Sequence, residues 1–197
     1  ALRQAGKSLL FTHAPGYIAA DGFSLDGMRH LTGLTLARAD DSGDEIIGDD
    51  GIRRPMTVTP RFWAVDSDET WARYSDGRAA LALRGRQESA GFDAFCAAAP
   101  VPAAWLRHLA ERAGCFRYID TADPLYANSR LLTVFCHEPG TRRLFWPQPA
   151  QLMDFFSGDV FQTGPEGAAV PFGANETRIF LVEPGPAAAT GRILASW

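Results

Sequence analysis

Up to about residue 120, short apolar runs of strand type alternate with amphipathic stretches of helix type. The apolar run at residues 8–13 predicts a strand, and Ser24 and Gly33 are the residue types that begin and end a helix. Pro102 and Gly114 bracket a second helical pattern in the same way. The alternation favours an α/β arrangement for this part of the chain.

Further elements follow from local residue types. Asp76 and Gly77 stand between two runs of alternating apolar and polar residues, which predicts a β-hairpin. The acidic, glycine-rich stretch 39–55 predicts a loop, and the apolar runs 91–100 and 115–120 predict strands.

From residue 123 onward the pattern changes to short strands separated by turns, with no helical period. We therefore predict a fold of the α/β plus all-β class, with an α/β lobe over residues 1–121, a small antiparallel β-sandwich over 122–185 and a flexible tail over 186–197. The predicted core of the sandwich consists of Leu131, Val134, Phe145, Phe155, Ile179 and Leu181.

Composition narrows the possible partners. The chain has 197 residues and a formal net charge of −4, and it contains no basic run of the kind that nucleic acids or anionic membranes attract. It also lacks an apolar stretch of about 18 residues and a signal-peptide pattern at its start. These features predict a soluble, cytoplasmic protein without nucleic-acid or membrane partners. Since residue 1 is not Met, we expect a fragment of a longer chain.

Known cofactor motifs are absent. The sequence contains no GxGxxG, GxxxxGK[ST] or HExxH motif, and the stretch GFSLDG does not have the spacing of a GxSxG nucleophile elbow. Cys96, Cys115 and Cys136 are widely spaced, without a zinc-binding pattern, which favours free buried thiols and leaves a disulfide between two of them open. The sequence thus predicts neither a cofactor nor a metal.

Two sets of residues are candidates for chemistry. His13, at the end of a predicted strand, has a side chain that titrates near neutral pH, and carboxylates that could complete an acid–base site are Asp66, Asp68 and Asp120. The alternative for each of these residues is a structural role in turns. The aromatic candidates for stacking on sugar rings are Tyr17, Phe23, Trp63 and Trp71, whose alternative is burial in the core.

Several blocks of the sequence resemble parts of a known family. The blocks are LLFTHAPGYI…GMRHLTGL, ARYSDGRAALAL, PAAWLRHLAERAGCFRYID and LYANSRLLTVFCHEPGTRRLFWP…MDFFSGDVF…ETRIFLVE. Together they resemble the carboxyl-terminal region of bacterial glycoside hydrolases related to the family 42 β-galactosidases. The resemblance implies a catalytic (β/α)8 barrel outside this sequence, then a trimerisation-type lobe with a glutamine-amidotransferase-like or flavodoxin-like fold, then a β-sandwich.

The resemblance implies no catalytic residue here, because the acid and the nucleophile of such enzymes lie on the barrel. It also implies that the α/β lobe is incomplete at its N-terminus and that Leu10–Tyr17 is a central strand with its exit loop. Because the sequence begins just before residues 8–13, we expect this strand to lie at or near an edge of the sheet, and the alternative is a central strand that is fully covered within this chain. The expected partners are the N-terminal barrel or neighbouring subunits, including other copies of this chain. Our first hypothesis is a non-catalytic accessory or assembly region of a carbohydrate-active enzyme. The alternative is a free-standing small hydrolase with a site around His13.

Overall fold

The computed structural model describes residues 2–20, 22–41, 43, 45–87 and 89–185. The chain divides into two compact units, Ala1–Cys115 and Phe116–Trp197. Within the described residues, no helix is long and apolar enough to cross a membrane. The predicted tail, residues 186–197, lies outside the described residues.

The first unit is mostly β-sheet. Its strands are β1 (Leu9–Thr12), β2 (Ile18–Ala19), β3 (Gly22–Phe23), β4 (Leu36–Ala39), β5 (Glu45–Gly48), β6 (Arg53–Pro55), β7 (Arg61–Ala64), β8 (Glu69–Tyr74), β9 (Ala79–Arg86) and β10 (Ser89–Cys96), and its described helices are α1 (Leu25–Thr32) and α2 (Ala103–Arg112). Strands β2 and β3 form a separate hairpin.

The main sheet of this unit is mixed. Its strand order is β1-β10-β9-β8-β5-β6, and β7 joins it through β9 and also pairs with β4. Only the β1–β10 pair is parallel among the described pairings of this sheet. Since β1 pairs with β10 alone, residues 8–13 lie at an edge of the described sheet rather than in a covered central position.

The two helices and the hairpin begin and end close to the predicted residues. The Ser24 hydroxyl oxygen accepts a hydrogen bond from the Gly27 N–H at 2.9 Å, and Gly33, with φ of 76°, ends α1 in the left-handed region. The Asp76–Gly77 turn joins β8 to β9 as predicted, with Gly77 at φ of 86°. These features confirm the predictions made from local sequence.

Two segments differ from the prediction. The acidic stretch 39–55 contains β5 and β6, because Ile46 is fully buried and its strand pairs with β8. The predicted strand 115–120 contains only an isolated bridge between Ile119 and Leu144. In the first case a buried strand lies between acidic turns, and in the second a single apolar side chain, Ile119, is buried without a continuous ladder.

The second unit is all-β. Its strands are β11 (Leu125–Ala127), β12 (Leu131–Cys136), β13 (Gly140–Leu144), β14 (Ala150–Asp154), β15 (Val160–Thr163), β16 (Ala168–Phe172) and β17 (Glu176–Pro184). Five of them form an antiparallel sheet in the order β11-β12-β17-β14-β15, and β13 pairs with β16.

The predicted core of this unit is correct for Val134 and wrong for Leu131 and Phe155. Val134 is fully buried, whereas Leu131 and Phe155 are 37% and 59% exposed. The residues Phe145, Ile179 and Leu181 are partly buried. Because side chains alternate between the two faces of a strand, the buried set on β12 is Leu132, Val134 and Cys136, and Leu131 lies on the opposite face. That face carries a row of paired apolar residues across four strands: Leu131, Leu181, Met153 and Val160.

Candidate functional site

His13 follows β1 directly and has an unusual backbone conformation. Its φ is 55°, and its backbone N–H donates to the Cys96 carbonyl at 2.8 Å. Its ring is nearly perpendicular to that of Phe62, with an interplanar angle of 77° and 5.5 Å between centroids. Partial burial lowers the pKa of His13 from its ordinary value, so the neutral imidazole is favoured. Within the described residues, no hydrogen bond joins the His13 ring to Asp66 or Asp68.

The two carboxylates predicted beside His13 bind other groups. The Asp66 carboxylate accepts hydrogen bonds from the Thr35 N–H at 2.7 Å and the Thr35 hydroxyl at 2.9 Å, and it pairs with Arg84 at 2.9 Å. Burial alone would raise the pKa of Asp66, but the hydrogen bonds from Arg84 and Thr35 outweigh it and lower the pKa. The Asp68 carboxylate accepts from the Gly85 N–H at 2.8 Å. These contacts are those of residues that hold loops in place.

Asp120 belongs to the second unit, where it also binds backbone. Its carboxylate accepts a hydrogen bond from the Arg143 N–H at 3.0 Å, and its own N–H donates to the Arg143 carbonyl at 3.2 Å. This double contact lies beside the bridge between Ile119 and Leu144.

Among the aromatic candidates, Tyr17 and Phe23 lie together. Their rings stack with centroids 5.1 Å apart and an interplanar angle of 9°. Tyr17 is buried against Phe62, and its hydroxyl accepts a hydrogen bond from Arg38. Phe23 is 73% exposed. The pair lines a shallow cleft of about 370 Å³ whose other walls are Ser24, Leu25, Asp26 and Arg38.

Trp63 is surrounded by cations. The guanidinium carbons of Arg61 and Arg78 lie 5.6 Å and 4.1 Å from the centre of its ring. Arg61 is buried and also pairs with Asp41 and Asp76. Trp63 therefore stabilises Arg61 and Arg78 through cation–π contacts, and it does not line the cleft of Tyr17 and Phe23.

Trp71 lines a cleft that combines aromatic and acidic side chains. The cleft has a volume of about 350 Å³ and is lined by Asp49, Asp50, Trp71, Trp105 and His108. We call it the tryptophan cleft. Trp71 lies on β8, the two aspartates form the turn between β5 and β6, and α2 contributes the other two residues. Trp105 and His108 are three positions apart on α2, which places them on the same side of the helix.

Backbone hydrogen bonds close the turn that carries Asp49 and Asp50 and fix it to β8. The Gly51 N–H donates to the Gly48 carbonyl at 2.9 Å, and the Asp49 N–H donates to the Trp71 carbonyl at 2.8 Å. A side-chain carbon at position 48 would lie 2.9 Å from Nε1 of Trp105. Glycine at position 48 thus allows the indole of Trp105 to approach the backbone of the turn.

Both indole N–H groups in the tryptophan cleft already have partners. Nε1 of Trp71 donates to Glu69 at 3.2 Å, and Nε1 of Trp105 lies 3.5 Å from Oδ1 of Asp50. Arg112 lies over the ring of Trp71, with its guanidinium carbon 5.8 Å from the ring centre. The indoles therefore offer the cleft mainly carbon surface, and the carboxylates and the imidazole supply its polar groups.

Another cleft, of about 420 Å³, contains two arginines whose charges are already paired. It is lined by Arg3, Gln4, Arg86, Gln87 and Ser89. Both guanidinium groups are bound to the buried Asp93 carboxylate, at 3.1 Å and 2.8 Å. The Ser89 hydroxyl is buried without a hydrogen-bond partner among the described residues. With both arginines occupied, this cleft has little capacity for an anion.

The cysteines are free. Cys96 and Cys136 are buried, as predicted, whereas Cys115 is exposed. Burial raises the pKa of the Cys96 thiol to about 12. In the part of the chain that the structure describes, no cluster of three or more His, Cys, Asp or Glu side chains could hold a metal ion.

Sequence reasoning identified Trp71 but missed the other residues of the tryptophan cleft. The sequence predicts only a loop for the stretch 39–55, which contains Asp49 and Asp50, and only a helix between Pro102 and Gly114, which contains Trp105 and His108. The spacing of three positions between Trp105 and His108 is visible in the sequence, and it predicts that both side chains lie on the same side of the helix.

The comparisons with known proteins give a likeness of fold. No protein-family model and no curated protein matches the sequence. The β-galactosidase from Bacillus circulans sp. alkalophilus is similar in structure, with a TM-score of 0.54 and 15% identity over 90% of this chain and 29% of that chain. The β-galactosidase from the psychrophilic Marinomonas ef1 has a TM-score of 0.49 and 14% identity over 88% of this chain and 25% of that chain. The chain thus spans less than a third of the length of either structure.

Proposed function

We propose that this chain is a non-catalytic accessory or assembly region of a carbohydrate-active enzyme of the β-galactosidase type. The observation that carries the proposal is the fold shared with the Bacillus circulans enzyme over 90% of this chain but only 29% of the enzyme. A region of this kind leaves the rest of the larger protein to supply the catalytic barrel.

The carboxylates support a non-catalytic role. Glycoside hydrolysis needs a carboxylic acid whose pKa is raised, close to a second carboxylate that acts as nucleophile or base. Among the described residues, every carboxyl group with a shifted pKa has it lowered. These groups are Asp66, Asp76, Asp123 and Asp154, and each is bound to an arginine. Such carboxylates stay ionised at neutral pH and are poor proton donors.

The proposed partners are the catalytic barrel of the same protein or neighbouring subunits, including other copies of this chain. Exposed apolar side chains fit this role. On the β2–β3 hairpin, Ile18 and Phe23 are 80% and 73% exposed, and β1 has an unpaired edge in the described sheet. The proposal does not depend on an amidotransferase-like, trimerisation-type fold for the first unit, whose described main sheet has one parallel pair.

The direct test is a hydrolysis assay on the purified chain with aryl β-galactosides and aryl β-glucosides. We expect no turnover above buffer. We also expect a longer protein, read from the gene on both sides of this segment, to contain a barrel and to hydrolyse one of these substrates.

Turnover by the chain alone would overturn the proposal in favour of the small hydrolase. In that case the His13→Ala variant should lose activity. His13 is half-buried directly after β1, and among the described residues it is the best candidate for general acid–base catalysis. His30→Ala is the matched control, since His30 is exposed on α1.

A further inference from the structure

We propose that the tryptophan cleft binds a single pyranose ring of a neutral sugar. The assignment to sugars rests on the proposed function. The cleft itself rests on the geometry of Asp49, Asp50, Trp71, Trp105 and His108. It would make this region a carbohydrate-binding module as well as an assembly module.

The tryptophan cleft offers an aromatic surface that suits one side of a sugar ring. One side of a pyranose ring is rich in C–H groups, which pack on aromatic carbon and leave the hydroxyls at the rim. Both indole N–H groups of the tryptophan cleft have acceptors in the protein, so a ligand meets ring carbon. Trp105 is only 2% exposed and fixed against Gly48, whereas Trp71 is half-buried and accessible from the cleft.

The tryptophan cleft also has free hydrogen-bond acceptors on its two aspartates. Asp49 is exposed, and among the described residues its carboxylate accepts no hydrogen bond. Oδ1 of Asp50 accepts from the Ile52 N–H at 3.0 Å, which leaves Oδ2 for a ligand. Sugar hydroxyls are donors, and hydrogen bonds to ionised carboxylates are stronger than those between neutral groups. The exposed imidazole of His108 adds a further polar group at the same wall.

The size and the charge of the tryptophan cleft suit one neutral ring. A volume of about 350 Å³ is near the lower end for small-molecule sites, so it suits one ring rather than a chain of sugars. Two carboxylates disfavour anionic ligands such as uronic acids and sugar phosphates. The Arg112 guanidinium is paired with Glu69 and so does not offset them.

The proposal is tested by titrating the full chain, labelled with ¹⁵N, with methyl β-D-galactoside and with lactose, and following the five tryptophan indole signals. We expect the signals of Trp71 and Trp105 to shift in a saturable way, with a Kd of about 1 mM. The Trp63 signal should stay in place. If neither the Trp71 signal nor the Trp105 signal shifts at about 50 mM of each sugar, a concentration well above that Kd, the inference is wrong.

Two variants sharpen the test. Asp49→Ala should weaken binding about tenfold or more, as expected for loss of hydrogen bonds to a charged group, without affecting folding because the side chain is exposed. Asp26→Ala, at an exposed carboxylate in the Tyr17–Phe23 cleft, is the matched control and should leave Kd unchanged. Equal effects of the two variants would contradict the assigned site.

A cation is the competing ligand, since aromatic rings with carboxylates also attract quaternary ammonium groups. Shifts of Trp71 and Trp105 with tetramethylammonium but with neither sugar would overturn the sugar assignment. The hydrolysis assay keeps the two proposals separate. A chain that neither binds sugar nor hydrolyses glycosides refutes only this inference, whereas a chain that hydrolyses them refutes the proposed function.

Discussion

Replacing Arg178 by methionine should strongly destabilise the second unit, because the guanidinium is buried beside a buried carboxylate. Arg178 and Asp154 are 8% and 4% exposed, and Nε of Arg178 donates to Oδ2 of Asp154 at 2.6 Å. A further guanidinium nitrogen donates to the Pro171 carbonyl at 2.9 Å. Three rings lie 5.3 to 5.8 Å from the guanidinium carbon: Phe161, Phe172 and Phe180.

The expected loss of stability follows from the buried Asp154 carboxylate, which Arg178→Met leaves without its cation. Burial would raise the pKa of Asp154, but hydrogen bonds from the Ser157 N–H, Arg178 and the Phe156 N–H together lower it. Without Arg178 the carboxylate stays buried and loses its counter-charge, which costs about 3–5 kcal/mol in comparable pairs. Total stabilities are about 5–15 kcal/mol, and each kcal/mol moves the melting temperature of a small domain by about 4–8 °C. We therefore expect the melting temperature of this unit to fall by about 12 °C or more.

The assay is differential scanning calorimetry of the full chain, supported by urea unfolding. Arg130→Met is the matched control, since Arg130 is exposed, and it should change the free energy of unfolding by less than about 0.5 kcal/mol. Adding Asp154→Asn to Arg178→Met should recover part of the loss, because the uncompensated charge is then gone. A loss below about 1 kcal/mol for Arg178→Met alone would refute the reasoning.

Three further predictions concern burial and charge. Val134→Ala should destabilise the chain by about 2 kcal/mol and Phe155→Ser by less than about 0.5 kcal/mol, as measured by urea unfolding, because Val134 is buried and Phe155 is exposed; equal losses would contradict that difference in burial. In the native chain iodoacetamide should modify Cys115 and spare Cys96, as read by mass spectrometry, because Cys96 is buried and its pKa is raised to about 12. Asp66→Asn should lower the melting temperature at pH 7 but less at pH 3. The lowered pKa of Asp66 means that its stabilisation is present above the unfolded pKa of about 3.9 and is lost as the pH falls through the folded value.

The correct sequence predictions are those that depend on a few neighbouring residues. Ser24 caps α1 with its own hydroxyl, Gly33 ends the helix because its φ of 76° suits glycine, and Asp76 accepts a hydrogen bond from the Arg78 N–H across its own turn. Interactions of this kind span three or four residues, so they are visible in the sequence itself.

An error in the predicted core of the second unit concerns which face of a strand is buried. In the second unit both faces of β12 carry apolar residues, so hydrophobicity alone does not distinguish Val134, which is buried, from Leu131, which is exposed. On β17 the buried residues are Arg178, Phe180 and Val182, and Ile179 lies on the opposite face. A charged residue usually marks the exposed face of a strand, but Arg178 lies on the buried face because it pairs with the distant Asp154. The alternation of polar and apolar residues on β17 therefore predicts the wrong face as buried.

The tryptophan cleft depends on the register of the β5–β8 pairing. The register is not visible in the sequence, so the presence of Trp71 alone did not predict the cleft. Pairing of Gly48 with Ala72 joins β5 to β8 and brings the Asp49 N–H to the Trp71 carbonyl. A shift of one residue in this pairing would turn Trp71 to the other face of the sheet. Trp105 then lies at the cleft because Gly48 has no side chain to exclude its indole. The cleft is thus a product of the β5–β8 register and of one glycine, and a chain with the same five lining residues in another register would lack it.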